Sequence, residues 1–201
     1  MELPKHKTLI PLFEELRGPR VIVRPYQLED ADTLFAAIEE SREHIWPWLP
    51  WGDQHQTVED SRDFILRSQA KWLLRESDLN VGIFAADSGR YLGGSGLHIR
   101  GWDVPAFEIG YWLRASAEGH GYMAEAVKLL TDFAFNALSA QRVMIRCDAR
   151  NTRSAAVAER LGFVREAHLR NEVRDATGEL RDTLIFSLIP SDPRWLESAG
   201  G

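Results

Sequence analysis

The sequence of 201 residues is poor in cysteine: Cys147 stands alone. A single thiol excludes an internal disulfide framework and fits a reducing compartment. Long apolar runs are missing too. No uninterrupted stretch approaches the roughly 20 residues that span a bilayer, and the opening MELPKHKTLI lacks the apolar core of a signal peptide. Positive charge is in deficit, with 24 Lys and Arg against 30 Asp and Glu and a formal net charge of −6. That balance argues against nucleic acid as the main partner and against a strongly acidic one. The six histidines show no ligand spacing, so no metal site is expected. Repeats and low-complexity segments are absent. What remains is a cytoplasmic chain expected to form one domain over 1–201, with its core at about 20–189. Its 44% hydrophobic content suffices for one sizeable core.

The most informative stretch runs from Phe107 to Phe135. Phe107, Ile109, Tyr111 and Leu113 alternate with Glu108, Gly110 and Trp112, the period of a strand. After Gly121, apolar residues fall at Met123, Ala126, Val127, Leu130, Phe133 and Ala134, the spacing of a helix. Between them lies Glu118-Gly119-His120-Gly121-Tyr122-Met123. Glycines entering a helix let the backbone approach a ligand, and the first turn offers free N–H groups and the positive end of the dipole. An anion such as a diphosphate suits that loop.

Elsewhere RVIVRP (20–25) reads as a first strand. Asp30 is expected to cap a helix to about Ile45, and Thr57 a second helix. A hairpin at 79–99 leads into the central strand. RVMIRC (142–147) forms another strand, Asn151 caps a helix closed by Gly162, and a final hairpin turns around Asp175 to Gly178. The tail from Ser191 is expected to be loose. The order β-α-α-β-β-β-α-β-α-β-β predicts an α/β (α+β) fold with a mixed, mostly antiparallel sheet flanked by helices. One parallel crossover joins the strands at 107–113 and 142–147. Three of the seven tryptophans crowd into Trp46-Pro-Trp48-Leu-Pro-Trp51, where prolines end the helix. Aromatics beside prolines suit an acceptor pocket, a dimer contact or a core plug.

The EGHGYM loop, Asn151-Thr-Arg-Ser154, Leu161-Gly162-Phe163 and the order of elements resemble the GNAT N-acetyltransferase superfamily. WPWLPW, EIGYWL and N-x-x-S-x-x-V-A-E-R-L-G-F resemble its RimJ/RimL-like branch, which acetylates protein N-termini and related amines. The resemblance covers about Arg20 to Ile189. It implies a GNAT fold with a splayed central sheet, and acetyl-CoA as co-substrate. The pyrophosphate loop would use the amides of Gly119, His120, Gly121, Tyr122 and Met123. The family writes that loop Arg/Gln-x-x-Gly-x-Gly/Ala; here the positions are Glu118, Gly121 and Met123. Backbone atoms of Leu113 and Arg114 would pair with the pantetheine arm, and Asn151 would hydrogen-bond it.

An amine must be neutral to attack a thioester. An α-amine with a pKa near 8 is about a tenth neutral at pH 7, a lysine amine well under about one per thousand. Glu108 matches the position of a family base and could take the proton directly or through water. The tyrosine that many relatives offer to the departing thiolate is replaced by Ala158, so the resemblance turns to Ser154, as a hydrogen-bond donor to sulfur. A further acidic residue of the branch falls on Val173, with Glu172 expected on the opposite face. Trp46, Trp48, Trp51 and Trp112 are candidate acceptor contacts. Glu108 could equally be an ion-paired strand carboxylate, Ser154 a helix-turn residue and Cys147 a small core filler.

The acceptor expected from the resemblance is a protein or peptide N-terminus, with a small aminoacyl compound or polyamine as the alternative, and a homodimer is compatible with the pattern. Two rival readings exist. One is an acetyl-CoA-binding module without turnover. The other is a dinucleotide-binding domain, since Gly119-x-Gly121-x-x-Ala124 satisfies G-x-G-x-x-G/A and Asp148 follows the next strand. Against the latter, five residues separate the strand from the first glycine, and the chain ends in a hairpin.

Overall fold

The computed structural model describes residues 4–49, 54–75, 77–175, 177–193 and 195. Its strands are β1 (Leu16–Arg17), β2 (Val21–Pro25), β3 (Asp78–Ala85), β4 (Tyr91–Gly101), β5 (Ala106–Leu113), β6 (Arg142–Asp148), β7 (Val164–Arg174) and β8 (Leu180–Leu188). Its helices are α1 (Ala31–Ile45), α2 (Val58–Leu74), α3 (Tyr122–Asn136) and α4 (Thr152–Arg160). The strands form one sheet in the order β1-β2-β3-β4-β5-β6-β8-β7. Neighbours are antiparallel except β5 and β6, the parallel pair that the crossover through α3 requires. Short β1 has no counterpart in the sequence reading; two residues are too few to show a period.

The alternation along β5 assigns its two faces. Phe107 and Ile109 are buried against Ala126, Val127 and Leu130 of α3 in one cluster. Trp112 joins a second cluster with Tyr26, Leu34, Ile38 and Ile65, beneath α1 and α2. The sheet therefore separates a face covered by α3 from one covered by α1 and α2. Thr57 caps α2 as expected: its hydroxyl accepts from Asp60 N at 3.2 Å while Asp60 Oδ2 accepts from Thr57 N at 2.8 Å. Asp30 does not cap α1. Its carboxylate is turned to Arg24 and to the Gln27 amide, each at 2.8 Å, and makes no hydrogen bond to the helix. Nor is the tail loose as far as Trp195, which is buried with its ring 5.0 Å from that of Phe135.

The turn after β5 is stapled to α1. Ser116 N donates to Glu40 Oε1 and Ala115 N to Ser41 Oγ, both at 2.9 Å, and the Arg114 guanidinium closes on the other Glu40 oxygen. That Arg114 hydrogen bond is the main reason the Glu40 carboxyl lies at about 2, below its usual 4.5. A depressed folded value means stabilisation that is complete above pH 4.5 and is lost as pH falls towards 2. Glu40→Gln should cost about 1–2 kcal/mol at pH 7. The gap to wild type should narrow between pH 4.5 and 2, as read from urea midpoints across that range.

Candidate active site

The parallel pair is short. Ala106, Phe107 and Glu108 face Arg142, Val143 and Met144; beyond them β5 and β6 continue without register partners. Meanwhile β6 keeps its pairing to β8 as far as Asp148. The strands part, and a cleft of about 1460 Å³ runs through the opening. Arg114 N donates to Leu92 O of β4 at 2.9 Å. By strand alternation, the N–H and C=O of Ile109, Tyr111 and Leu113 point the other way, into the opening. This corrects one expectation: the Arg114 amide is spent on β4 and is unavailable to an arm in the cleft, whereas Leu113 is suitably directed.

On the α3 side, Gly119 and Gly121 both adopt φ of 78°, a left-handed backbone that favours glycine. Nothing lies within 4 Å of a Cβ built on Gly119. Gly121 is the N-cap of α3, so the amides of the first turn lack helical acceptors. Arg20 braces this loop from β2, with Nη1 donating to His120 O and Nε to Glu125 Oε2, both at 2.8 Å. The carboxylate of Glu118 is neutralised, since it accepts from Arg153 of α4 and bonds His44 of α1. Asn151 Oδ1 caps α4 by accepting from Ser154 N at 3.0 Å. Ser154 Oγ donates to the Tyr111 hydroxyl at 3.1 Å, and that hydroxyl donates to Ser154 O at 3.0 Å. Burial pushes the Tyr111 phenol well up, so it stays neutral and able to donate.

On the α1/α2 side, the cleft wall carries charge. Asp78, His98 and Glu108 are register partners on β3, β4 and β5, side by side in one row. Glu108 Oε2 accepts from Arg100 Nε at 3.1 Å and from Nη2 at 2.9 Å. Across the opening, Glu172 of β7 pairs with Arg146 of β6. Its Oε2 is buried and has no hydrogen-bond partner among the described residues. A hydrogen bond from Thr183 is the chief reason its carboxyl lies below the usual range. Such a wall of carboxylates suits a cationic group, and the opening brings it towards the hydroxyl pair of the other face.

A family model described as an acetyltransferase (GNAT) domain matches residues 20–164. The chain belongs to the GNAT acetyltransferase family. It is similar to the probable N-acetyltransferase YjcK of Bacillus subtilis (strain 168), 32% identical, with 88% of this chain and 98% of that protein covered. A putative ribosomal N-acetyltransferase of the same organism, YdaF, is 29% identical over 84% of this chain and 91% of its own. Among solved structures, the RimL ribosomal alpha-N-protein acetyltransferase in complex with coenzyme A has a TM-score of 0.81 at 21% identity, covering 88% and 98%. That similarity confirms the splayed mixed sheet. The rival use of Asp148 as a ribose ligand has a physical obstacle: this buried carboxylate accepts from Arg150 at 2.8 Å and lies 3.5 Å from Arg181.

In this N-acetyltransferase Glu108, Leu113, Gly119, Gly121, Met123, Asn151, Ser154, Trp48 and Trp112 line the cleft, whereas Arg114, His120, Tyr122 and Trp46 do not. His120 and Tyr122 face each other with ring centroids 5.6 Å apart, so only their backbone is offered to the loop. Trp46 is the C-cap of α1, and Trp51 lies outside the described residues. Glu172 overturns its expectation by lining the cleft. The β7 strand bulges between Leu169 and Val173, with Asn171 at φ 52°, and the bulge breaks the alternation that spacing assumes. His98, Asp78, Arg20 and Arg153 were also passed over as site residues, and Tyr111 was left undecided between packing and a substrate contact. Only Tyr111 left a signal, as a hydroxyl on the strand that borders the opening.

Cys147 also lines the cleft and is half-buried, and burial pushes its thiol up to about 11. It should therefore be a slow nucleophile. Alkylation by iodoacetamide at pH 8 should run about two orders of magnitude slower than for a free cysteine, followed by mass spectrometry of intact protein.

Proposed function

We propose that this acetyltransferase moves the acetyl group of acetyl-CoA onto the α-amine of a protein or peptide N-terminus, by direct attack in a ternary complex. The observation that carries the reading is the opening between β5 and β6, which joins a face of helix-turn amides and hydroxyls to a face of carboxylates. The names of YdaF and RimL point to ribosomal proteins as acceptors of those enzymes; the class of acceptor, an α-amine, is what we carry to this chain.

The residues present fit acetyl-CoA. Free amides at the start of α3, the open space over Gly119 and the guanidinium groups of Arg20 and Arg153 suit a diphosphate. The outward backbone of Tyr111 and Leu113 and the side-chain amide of Asn151 suit an arm with its own amides. Acetyl-CoA supplies the activated acyl group. Glu108 draws in and holds the acceptor ammonium, with Glu172 as a second carboxylate across the opening. Ser154, whose hydroxyl donates to Tyr111 in the ligand-free cleft, would turn that one proton to the leaving sulfur. Trp48 and Trp112 form apolar wall around the acceptor chain.

Acetyl-CoA at about a hundred times its Kd should stabilise the protein by about 2.7 kcal/mol, several degrees in Tm, and NADH should not. Glu108→Gln should lower kcat about a hundredfold and Ser154→Ala about tenfold with α-amine peptides, while both variants keep the shift with acetyl-CoA. Stabilisation by NADH alone would overturn the reading, as would full activity in both variants.

A further inference from the structure

His98 is the feature of the cleft that the mechanism above does not use. Its Nδ1 lies 2.8 Å from Asp78 Oδ1 on the neighbouring strand, and Asp78 is held in turn by Lys71 Nζ at 2.6 Å on its other oxygen. Burial alone would raise the Asp78 carboxyl, but the hydrogen bonds from Lys71 and His98 bring it below the usual range, so it is an acceptor. An acceptor at Nδ1 puts the imidazole proton there and leaves Nε2 with a free lone pair. No described residue bonds Nε2. It points over Gly110: a Cβ built on that glycine would lie 2.9 Å from it. The absent side chain leaves Nε2 open to the cleft, on the same face as Glu108 and one strand away. The imidazole is partly exposed, with 30% of its side-chain surface accessible, enough to pass a proton to solvent.

The reaction needs such a group. Glu108 carries two N–H bonds from Arg100, and Glu172 is paired with Arg146 and Thr183. Both carboxylates are engaged by these donors, which suits them to attract and hold an ammonium; taking its proton falls to a group with a free lone pair. An imidazole is the side chain whose ordinary range matches proton transfer near neutrality.

We propose that His98, oriented by Asp78, is a further catalytic residue and the proton acceptor in acetyl transfer. This rests on the reading of the cleft as a site of amine acylation. The acceptor ammonium, drawn in by Glu108, loses one N–H bond; the proton goes to His98 Nε2 and the electron pair stays on nitrogen. That pair forms the new N–C bond at the thioester carbonyl. The C–S bond breaks with its electrons on sulfur, and the second amine proton ends on the thiol. The imidazolium is held between the Asp78 carboxylate and the cleft, and returns its proton to water. The charged groups facing it are Asp78 from β3, Lys71 from α2, and Arg100 and Glu108 from β4 and β5. Asp78 is a positioning residue, acting through the tautomer it imposes.

The test compares wild type, His98→Gln and Asp78→Asn on two peptides differing only at the terminal nitrogen. One carries an ordinary alanyl α-amine. The other carries an aminooxyacetyl group, whose nitrogen is already neutral at pH 7. His98→Gln should lose about a hundredfold in kcat on the alanyl peptide and less than about tenfold on the aminooxy peptide. Its kcat–pH profile should lose the acidic limb that the wild type shows. Asp78→Asn should show the same pattern at smaller amplitude. The thermal shift with acetyl-CoA should be retained in both, which checks that the variants are folded. Equal losses on the two peptides would make His98 a structural prop and overturn the proposal, as would unchanged rates and pH profile. A wild type that acetylates neither peptide would overturn the proposed function and this inference with it.

Discussion

The cleft depends on a break in backbone pairing. Two parallel strands that began a ladder at Ala106 and Arg142 abandon it after three pairs, although both run on. Unpaired N–H and C=O groups inside a protein are costly unless something meets them. The break is sustained because each strand stays bound on its other side, β5 to β4 through Leu113 and β6 to β8 through Asp148. The two sheet halves thus keep their own ladders while diverging from each other. The groups left over on β5 face the place where an extended, amide-bearing ligand would complete the ladder.

The opening also lets two chemical environments meet without mixing. On the α3 side lie neutral donors: helix-turn amides, the Ser154 and Tyr111 hydroxyls and a thiol held protonated by burial. On the α1/α2 side lie Asp78, His98, Glu108 and Glu172. Strand alternation keeps them apart, because neighbouring residues on β5 must point to opposite faces. A nucleophile and an electrophile held on opposite sides of one sheet can approach only through the gap.

Charge in the glycine loop before α3 is supplied from a distance. Glu118 sits in this loop, where a lone carboxylate would repel an anion. The fold answers with Arg153 and His44, which engage Glu118 from α4 and α1, and with Arg20, which reaches the loop from β2 and is itself held by Glu125. These contacts span up to 105 residues of sequence, so nothing local in the EGHGYM motif announces them.

By itself the sequence determined the element order, the two faces of β5, the glycine loop entering α3, and the Thr57 and Asn151 caps. Each is written in nearest-neighbour chemistry: a period of two or 3.6, a residue that tolerates positive φ, a side chain that reaches an amide three residues on. That Glu108 and Ser154 border the cleft was legible too, from their positions within continuous motifs. Only the tertiary structure decided that Glu172 faces the cleft, since a bulge at Asn171 resets the alternation. Only it showed that Tyr111 orients Ser154 and that Arg114 is already bonded to β4. The row Asp78, His98, Glu108 likewise exists through register between three strands. Register depends on which strands pair and where they bulge, and that is settled by packing of the whole sheet.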